Sequence, residues 1–168
     1  IEALKRRLPE TDFYGIGGPK MQAAGFRALF PSERLAVRGY AEVLRHYREI
    51  TGIRRKFLAD MLDDPPQVFI GIDAPDFNFG LEVRLKAAGI PTVHFVSPSF
   101  WAWRAGKLAK LKASADHVLC IFPFEPPLLA QHGIAATYVG HPLASVIPLE
   151  PDRLAARAAL GLPPDGPV

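Results

Sequence analysis

Cysteine occurs once in the 168 residues, at Cys120. A lone thiol excludes an internal disulfide and a cysteine-cluster metal site. Its place in the apolar run HVLCIF (His117–Phe122) suits a buried, inert side chain. Long apolar runs are also missing: nothing approaches the roughly 20 residues of a membrane-spanning helix. The opening IEALKRRLPE is charged and lacks the apolar core of a secretory signal. Charge of one sign is scarce, and a net +3 is too little to indicate nucleic acid as a partner. His46, His94, His117, His132 and His141 show no ligand spacing, so no metal site is expected. Gly15, Gly17 and Gly18 suggest a tight strand-to-helix turn but do not complete a dinucleotide-binding fingerprint. Repeats and low-complexity tracts are absent.

The remainder is the composition of a globular domain, 49% hydrophobic and 22% charged, with length enough for one real core. Both ends read as cut. Ile1 is not an initiator, IEALKRRLP reads as the tail of a helix, and GLPPDGPV stops where another strand could begin.

Apolar β-branched runs alternate with helical stretches. Strands are expected within 12–17, 26–30, 68–72, 91–96, 117–122 and 136–139. Helices are expected over 19–25, 41–62, 77–88, the lysine-rich stretch at 107–112, a turn and short helix within 123–133, and 154–160. This alternation predicts a doubly wound, Rossmann-like α/β layer with parallel strands and right-handed crossovers. The run Val68–Ile72, bounded by Pro65-Pro66 and Pro75, reads as a strand buried on both faces.

That strand stops on an acid, Asp73, with Asp76 and Asn78 just beyond. Ligands of open α/β sheets sit outside the carboxyl ends of the strands. Three such ends carry unusual residues: Asp73 with Asp76; Ser97 to Arg104 (SPSFWAWR); and Gly140-His141. A carboxylate there can take a proton from an attacking hydroxyl. The Trp101 and Trp103 faces suit a sugar ring, and Arg104 suits a phosphate. Structural roles compete with each of these. Asp76 or Asn78 could cap the next helix, the tryptophans could pack their loop, Arg104 could start a helix, His94 reads as a core or edge residue and His141 as a linker residue. From Glu33 to Lys56 seven basic residues face three glutamates. Such a basic amphipathic helix can lie on an anionic membrane surface or can be a solvated face.

The segments IDAPDFN (Ile72–Asn78), SPSFWAWR (Ser97–Arg104), FPFE (Phe122–Glu125) and GHPL (Gly140–Leu143) resemble lipid-A-disaccharide synthase in order and spacing. GIGGPKMQAAG (Gly15–Gly25) and LAVRGYAEVL (Leu35–Leu44) resemble earlier segments of that family. The resemblance implies the N-terminal half of a two-domain GT-B glycosyltransferase, lacking its first strand. Residues 1–145 would form the acceptor-side domain, and 146–168 a linker and the start of the donor-binding domain. It implies transfer of a diacylglucosaminyl group from a UDP donor to diacylglucosamine 1-phosphate, giving a β-1,6 disaccharide with inversion and without metal or other cofactor. Asp73 matches the position of the family's candidate base. Asp76, Asn78, Ser97, Trp101, Trp103 and Arg104 are the expected substrate contacts. Leu44, Tyr47, Arg48, Arg54 and Arg55 fall in the expected membrane contact. The implied location is the cytoplasmic face of the bacterial inner membrane, in lipopolysaccharide synthesis. Donor-site residues lie outside the chain, so the fragment alone is expected to be inactive. A homodimer of the full-length enzyme is left open. A non-catalytic membrane-docking or lipid-binding module is the alternative reading, and a generic nucleotide-binding domain a third.

Overall fold

The computed structural model describes residues 1–31, 40–99 and 106–167; of residues 40–47 and 107 it describes the backbone alone. The element order is α1 (Glu2–Arg7), β1 (Tyr14–Ile16), α2 (Pro19–Ala23), β2 (Arg27–Phe30), α3 (Tyr40–Asp63), β3 (Phe69–Ile72), α4 (Pro75–Ala87), β4 (Thr92–Phe95), α5 (Gly106–Ser114), β5 (His117–Cys120), α6 (Glu125–Ala130), β6 (Ala136–Tyr138), a 3-10 turn (Pro142–Ser145) and α7 (Arg153–Ala159). The expected strands and helices are all present, each within a few residues of its predicted bounds.

β1 and β2 form a parallel pair, and β3-β4-β5-β6 form a parallel four-stranded sheet in sequence order. Parallel neighbours need a crossover, supplied by α4, α5 and α6. These helices cover one face of the sheet. Their apolar side meets Val118 and Cys120 in a core with Phe79, Leu111, Ala115, Leu129 and Ile134. A second core joins α3 and α4 through Phe57, Leu58, Met61, Leu81, Leu85 and Ile90. Each such side chain contributes about 1.5–3 kcal/mol when fully withdrawn from water. Ile53, Phe57, Leu58 and Met61 fall on one stripe of α3 at helical spacing. Phe57 spans the two sheets, its ring 6.1 Å from Phe30 of β2 and 6.2 Å from Phe69 of β3.

β3 corrects one expectation. It is not buried on both faces: Ile70 is 41% and Ile72 49% exposed, whereas Gly71 is buried between them. The reason is position. Among the described residues β3 ends the four-stranded sheet, and α4 packs on the face that Gly71 presents. An apolar run therefore identified the strand without reporting how many of its faces were covered.

A second anchor locks the opposite ends of these strands. Lys86 on α4 donates to the Ala115 carbonyl at 2.8 Å and pairs with Asp116 at 3.1 Å. Asp116 also accepts from the Thr92 backbone N–H at 2.8 Å. That backbone hydrogen bond, helped by Lys86, holds the Asp116 carboxyl below its ordinary range.

Candidate active site

Strand β3 delivers Asp73 to the carboxyl edge of the sheet. The Asp73 N–H continues the ladder, donating to the Phe95 carbonyl at 2.8 Å. The backbone then turns left-handed: φ is +49° at Asp73 and +43° at Ala74. For residues with a Cβ each such conformation costs on the order of 1–2 kcal/mol. Strain of this kind persists where neighbouring structure holds it. The Ala74 carbonyl accepts from the N–H groups of Phe77 (2.9 Å) and Asn78 (3.0 Å), opening α4 directly out of the turn. Pro75 takes the first helical position, where its missing N–H costs nothing.

The capping alternative for Asp76 and Asn78 does not hold. The residue at the cap is Ala74, and no side chain caps the helix. Asp76 lies in the first turn, exposed, where its charge suits the helix dipole. Asn78 is buried under the turn, and its amide donates to the carbonyls of Ile72 (3.2 Å) and Asp73 (2.7 Å). It is thus committed to the backbone that carries Asp73. Asp73 itself is exposed.

The neighbouring strand ends reach the same edge. Val96 follows β4 with φ +75°, its N–H donating to the Leu119 carbonyl at 3.0 Å. Ser97 comes next and is buried. After β5, the segment from Phe122 folds back so that Glu125 accepts from the Phe122 N–H at 2.9 Å. Glu125 is buried, and that burial pushes its carboxyl above the ordinary range. Burial, with the Glu125 charge adding to it, pushes the Cys120 thiol up to about 12, which makes it the inert side chain expected. The Phe122 ring stands 5.9 Å from the His141 ring, so the segments after β5 and β6 meet. His141 accepts from the Leu143 N–H at 3.1 Å and shapes the 3-10 turn. A shallow apolar hollow of about 470 Å³ lies beyond it, lined by His141, Leu143, Ala144, Ile147, Pro148 and Leu149. Asp73 is not among its lining residues.

Trp101, Trp103 and Arg104 lie outside the described residues, as do the side chains of Leu44 and Tyr47. On α3, Arg48 and Arg55 are exposed. Arg54 is half-buried instead, its guanidinium donating to the Asp76 carbonyl at 3.4 Å and lying against Gly80. It leans onto α4 rather than standing free with the other two. No group of three or more His, Cys, Asp and Glu side chains that could hold a metal occurs among the described residues. No described helix is long and apolar enough to cross a membrane.

Sequence reasoning missed Glu82. It is fully buried on the inner face of α4 and meets His94 of β4, Oε1 to Nδ1, at 2.7 Å. His94 lies in the core rather than at an edge. The signal available was spacing: Asn78 and Glu82 are polar residues one turn apart on the stripe that also carries Leu81 and Leu85.

A parallel, Rossmann-like α/β domain with an exposed carboxylate at the carboxyl edge of its sheet has the layout of the class of open α/β domains whose ligands sit outside the strand ends. Comparison with known proteins narrows this. The family model described as lipid-A-disaccharide synthetase matches residues 1–168. Lipid-A-disaccharide synthase of Paraburkholderia phytofirmans is 59% identical over 169 residues, covering 100% of this chain and 43% of the relative. The protein of that name from Burkholderia pseudomallei is 60% identical, covering 100% of this chain and 44% of the relative. That from Aromatoleum aromaticum is 58% identical over 165 residues, covering 98% and 42%. The chain belongs to the lipid-A-disaccharide synthetase family, and it spans less than half the length of the curated relatives it matches.

Proposed function

We propose that this chain is the acceptor-side half of an inverting glycosyltransferase of lipid A biosynthesis. In this reading it transfers a 2,3-diacylglucosaminyl group from a UDP donor to 2,3-diacylglucosamine 1-phosphate. The observation that carries the proposal is the presentation of Asp73: an exposed carboxylate, directly past a strand, in a left-handed turn tied by partly buried hydrogen bonds from Asn78. The acceptor 6-hydroxyl attacks the anomeric carbon from the face opposite UDP. Its proton passes to Asp73, the new C–O bond forms, and the bond to UDP breaks with its electron pair going to the leaving group. One base on the acceptor side suffices for such a displacement. Asp76, in the first turn of α4, would contact the acceptor, as would Trp101, Trp103 and Arg104, whereas Ser97 and Asn78, both buried, would support the strand ends from beneath. The donor half lies in the part of the relatives that this chain does not cover.

Exposed Arg48 and Arg55 support a peripheral seat on anionic lipid for α3, on the inner face of the bacterial inner membrane. Replacing both by glutamate in the full-length enzyme is expected to lower partitioning onto phosphatidylglycerol vesicles at least tenfold at low salt; unchanged partitioning returns α3 to an ordinary solvated face.

The reaction is tested by supplying the full-length protein with the UDP donor and the lipid acceptor. Formation of a β-1,6 disaccharide with stoichiometric UDP is expected. Binding of the phosphorylated lipid with no UDP release would favour the docking-module reading instead.

A further inference from the structure

Four polar or glycine positions meet beneath the Asp73 turn. Gly71 of β3 lies beside His94 of β4 in register. Glu82 of α4 reaches across both: its Oε1 lies 2.7 Å from His94 Nδ1 and occupies the space a Cβ on Gly71 would need. Asn78, one helical turn earlier, closes the other side, its Cβ only 3.3 Å from where that Cβ would stand. The Asn78 amide then ties the carbonyls of Ile72 and Asp73.

The arrangement carries a desolvation cost that apolar packing would not. Glu82 and His94 are fully buried, the Phe79 ring packs 5.1 Å from the imidazole, and Leu81 and Leu85 complete the apolar surroundings. Among the described residues Glu82 Oε2 and His94 Nε2 have no hydrogen-bond partner. An apolar pair of the same size would hold α4 on the sheet without that desolvation cost. A hydrogen-bonded pair adds direction and length, fixing where α4 sits over Gly71 and therefore where Asn78 meets the turn.

We infer that Asn78, Glu82 and His94 are positioning residues for the proposed base. Glu82 and His94 set α4 against β3 and β4 across the gap that Gly71 leaves, and Asn78 transmits that placement to Asp73 through two backbone carbonyls. This inference rests on the reading of Asp73 as the base.

The test uses the full-length enzyme with the UDP donor and the lipid acceptor, comparing Asn78→Ala, Asn78→Ser, Glu82→Ala, Glu82→Gln and Asp73→Asn. A displacement of the base by about 1 Å is worth roughly a hundredfold in rate. Asn78→Ala and Glu82→Ala are therefore expected to lower kcat about 10- to 100-fold in the folded protein, with KM for the UDP donor within about twofold of the parent. Glu82→Gln retains an oxygen that accepts from His94 Nδ1–H and is expected to return kcat to within about threefold. A merely structural role predicts lower melting temperatures with parental kcat, and that result overturns the inference. Should the alanine variants fail to fold, the milder Asn78→Ser decides: a severalfold drop in kcat supports the inference and a parental kcat overturns it. Loss of turnover in Asp73→Asn beside parental kcat in the Asn78 and Glu82 variants overturns the positioning role alone. Parental turnover in Asp73→Asn removes the base reading beneath it.

Discussion

Two carboxylates follow two strands of the same sheet, and their surroundings are opposite. Asp73 comes directly after β3, is exposed, and is held through its backbone by a neutral amide. Glu125 comes five residues after β5, is fully buried, and accepts from the N–H of Phe122. The first is presented to whatever occupies the edge of the sheet, and the second holds its own loop. Both are acids near the carboxyl edge of a parallel sheet, so position alone does not separate the proposed base from a structural acid. What separates them is which part of the residue the fold engages. At Asp73 the backbone is engaged and the side chain is left for solvent; at Glu125 the side chain itself is engaged, through one of its two oxygens.

Breaking the support under Asp73 should cost the most stability. Gly71→Ala would drive a methyl group into the Glu82 carboxylate and toward Asn78. A loss of about 3 kcal/mol in urea unfolding is expected, the upper part of the overpacking range. A loss below about 0.5 kcal/mol would mean that α4 moves away freely and that the placement beneath the turn is loose.

The pH dependence of the two acids sharpens the contrast. Burial raises the Glu125 carboxyl, so the folded state favours its protonated form. That contribution is fully present below the ordinary glutamate range and is lost as pH rises through the raised value. Glu125→Gln should remove this loss while its amide oxygen still accepts from Phe122. The parent should therefore lose stability, relative to the variant, as pH rises from the ordinary glutamate range through the raised value, read in chemical unfolding. Parallel curves would show that Glu125 is not strained by burial. Asp116 has the reverse sign: its lowered carboxyl stabilises above the ordinary aspartate range, and that stability is lost as pH falls through the lowered value.

The smallest expected effect is a gain. Ala74 sits left-handed without need of its Cβ, so Ala74→Gly should relieve strain and stabilise by about 1 kcal/mol, read as a higher melting temperature. A destabilised variant would show that the greater freedom of glycine in the unfolded chain outweighs the relief.

Much of this layout was legible beforehand because it depends on local chemistry. β-branched runs between prolines and glycines marked the strands. Asp73 was visible as an acid stopping an apolar run. The support beneath it was not. Glu82 and His94 lie twelve residues apart and meet only because β3 and β4 pair in one register and α4 folds back over them. The burial of Ile70 and Ile72 was misjudged for a related reason: an apolar side chain has the same identity at the end of a sheet as inside it. Arg54 could not be told from Arg48 and Arg55 without the crossing of α3 over the start of α4.

The most direct test of the account is single-turnover transfer by the full-length Asp73→Asn enzyme, with UDP affinity measured on the same preparation and Glu125→Gln run beside it. Loss of a general base predicts a fall of about 10²- to 10⁴-fold in the chemical step, with UDP binding near the parental value and Glu125→Gln within about threefold of the parent. Parental turnover by Asp73→Asn, or an equal loss in both variants, would contradict the assignment of the base to β3.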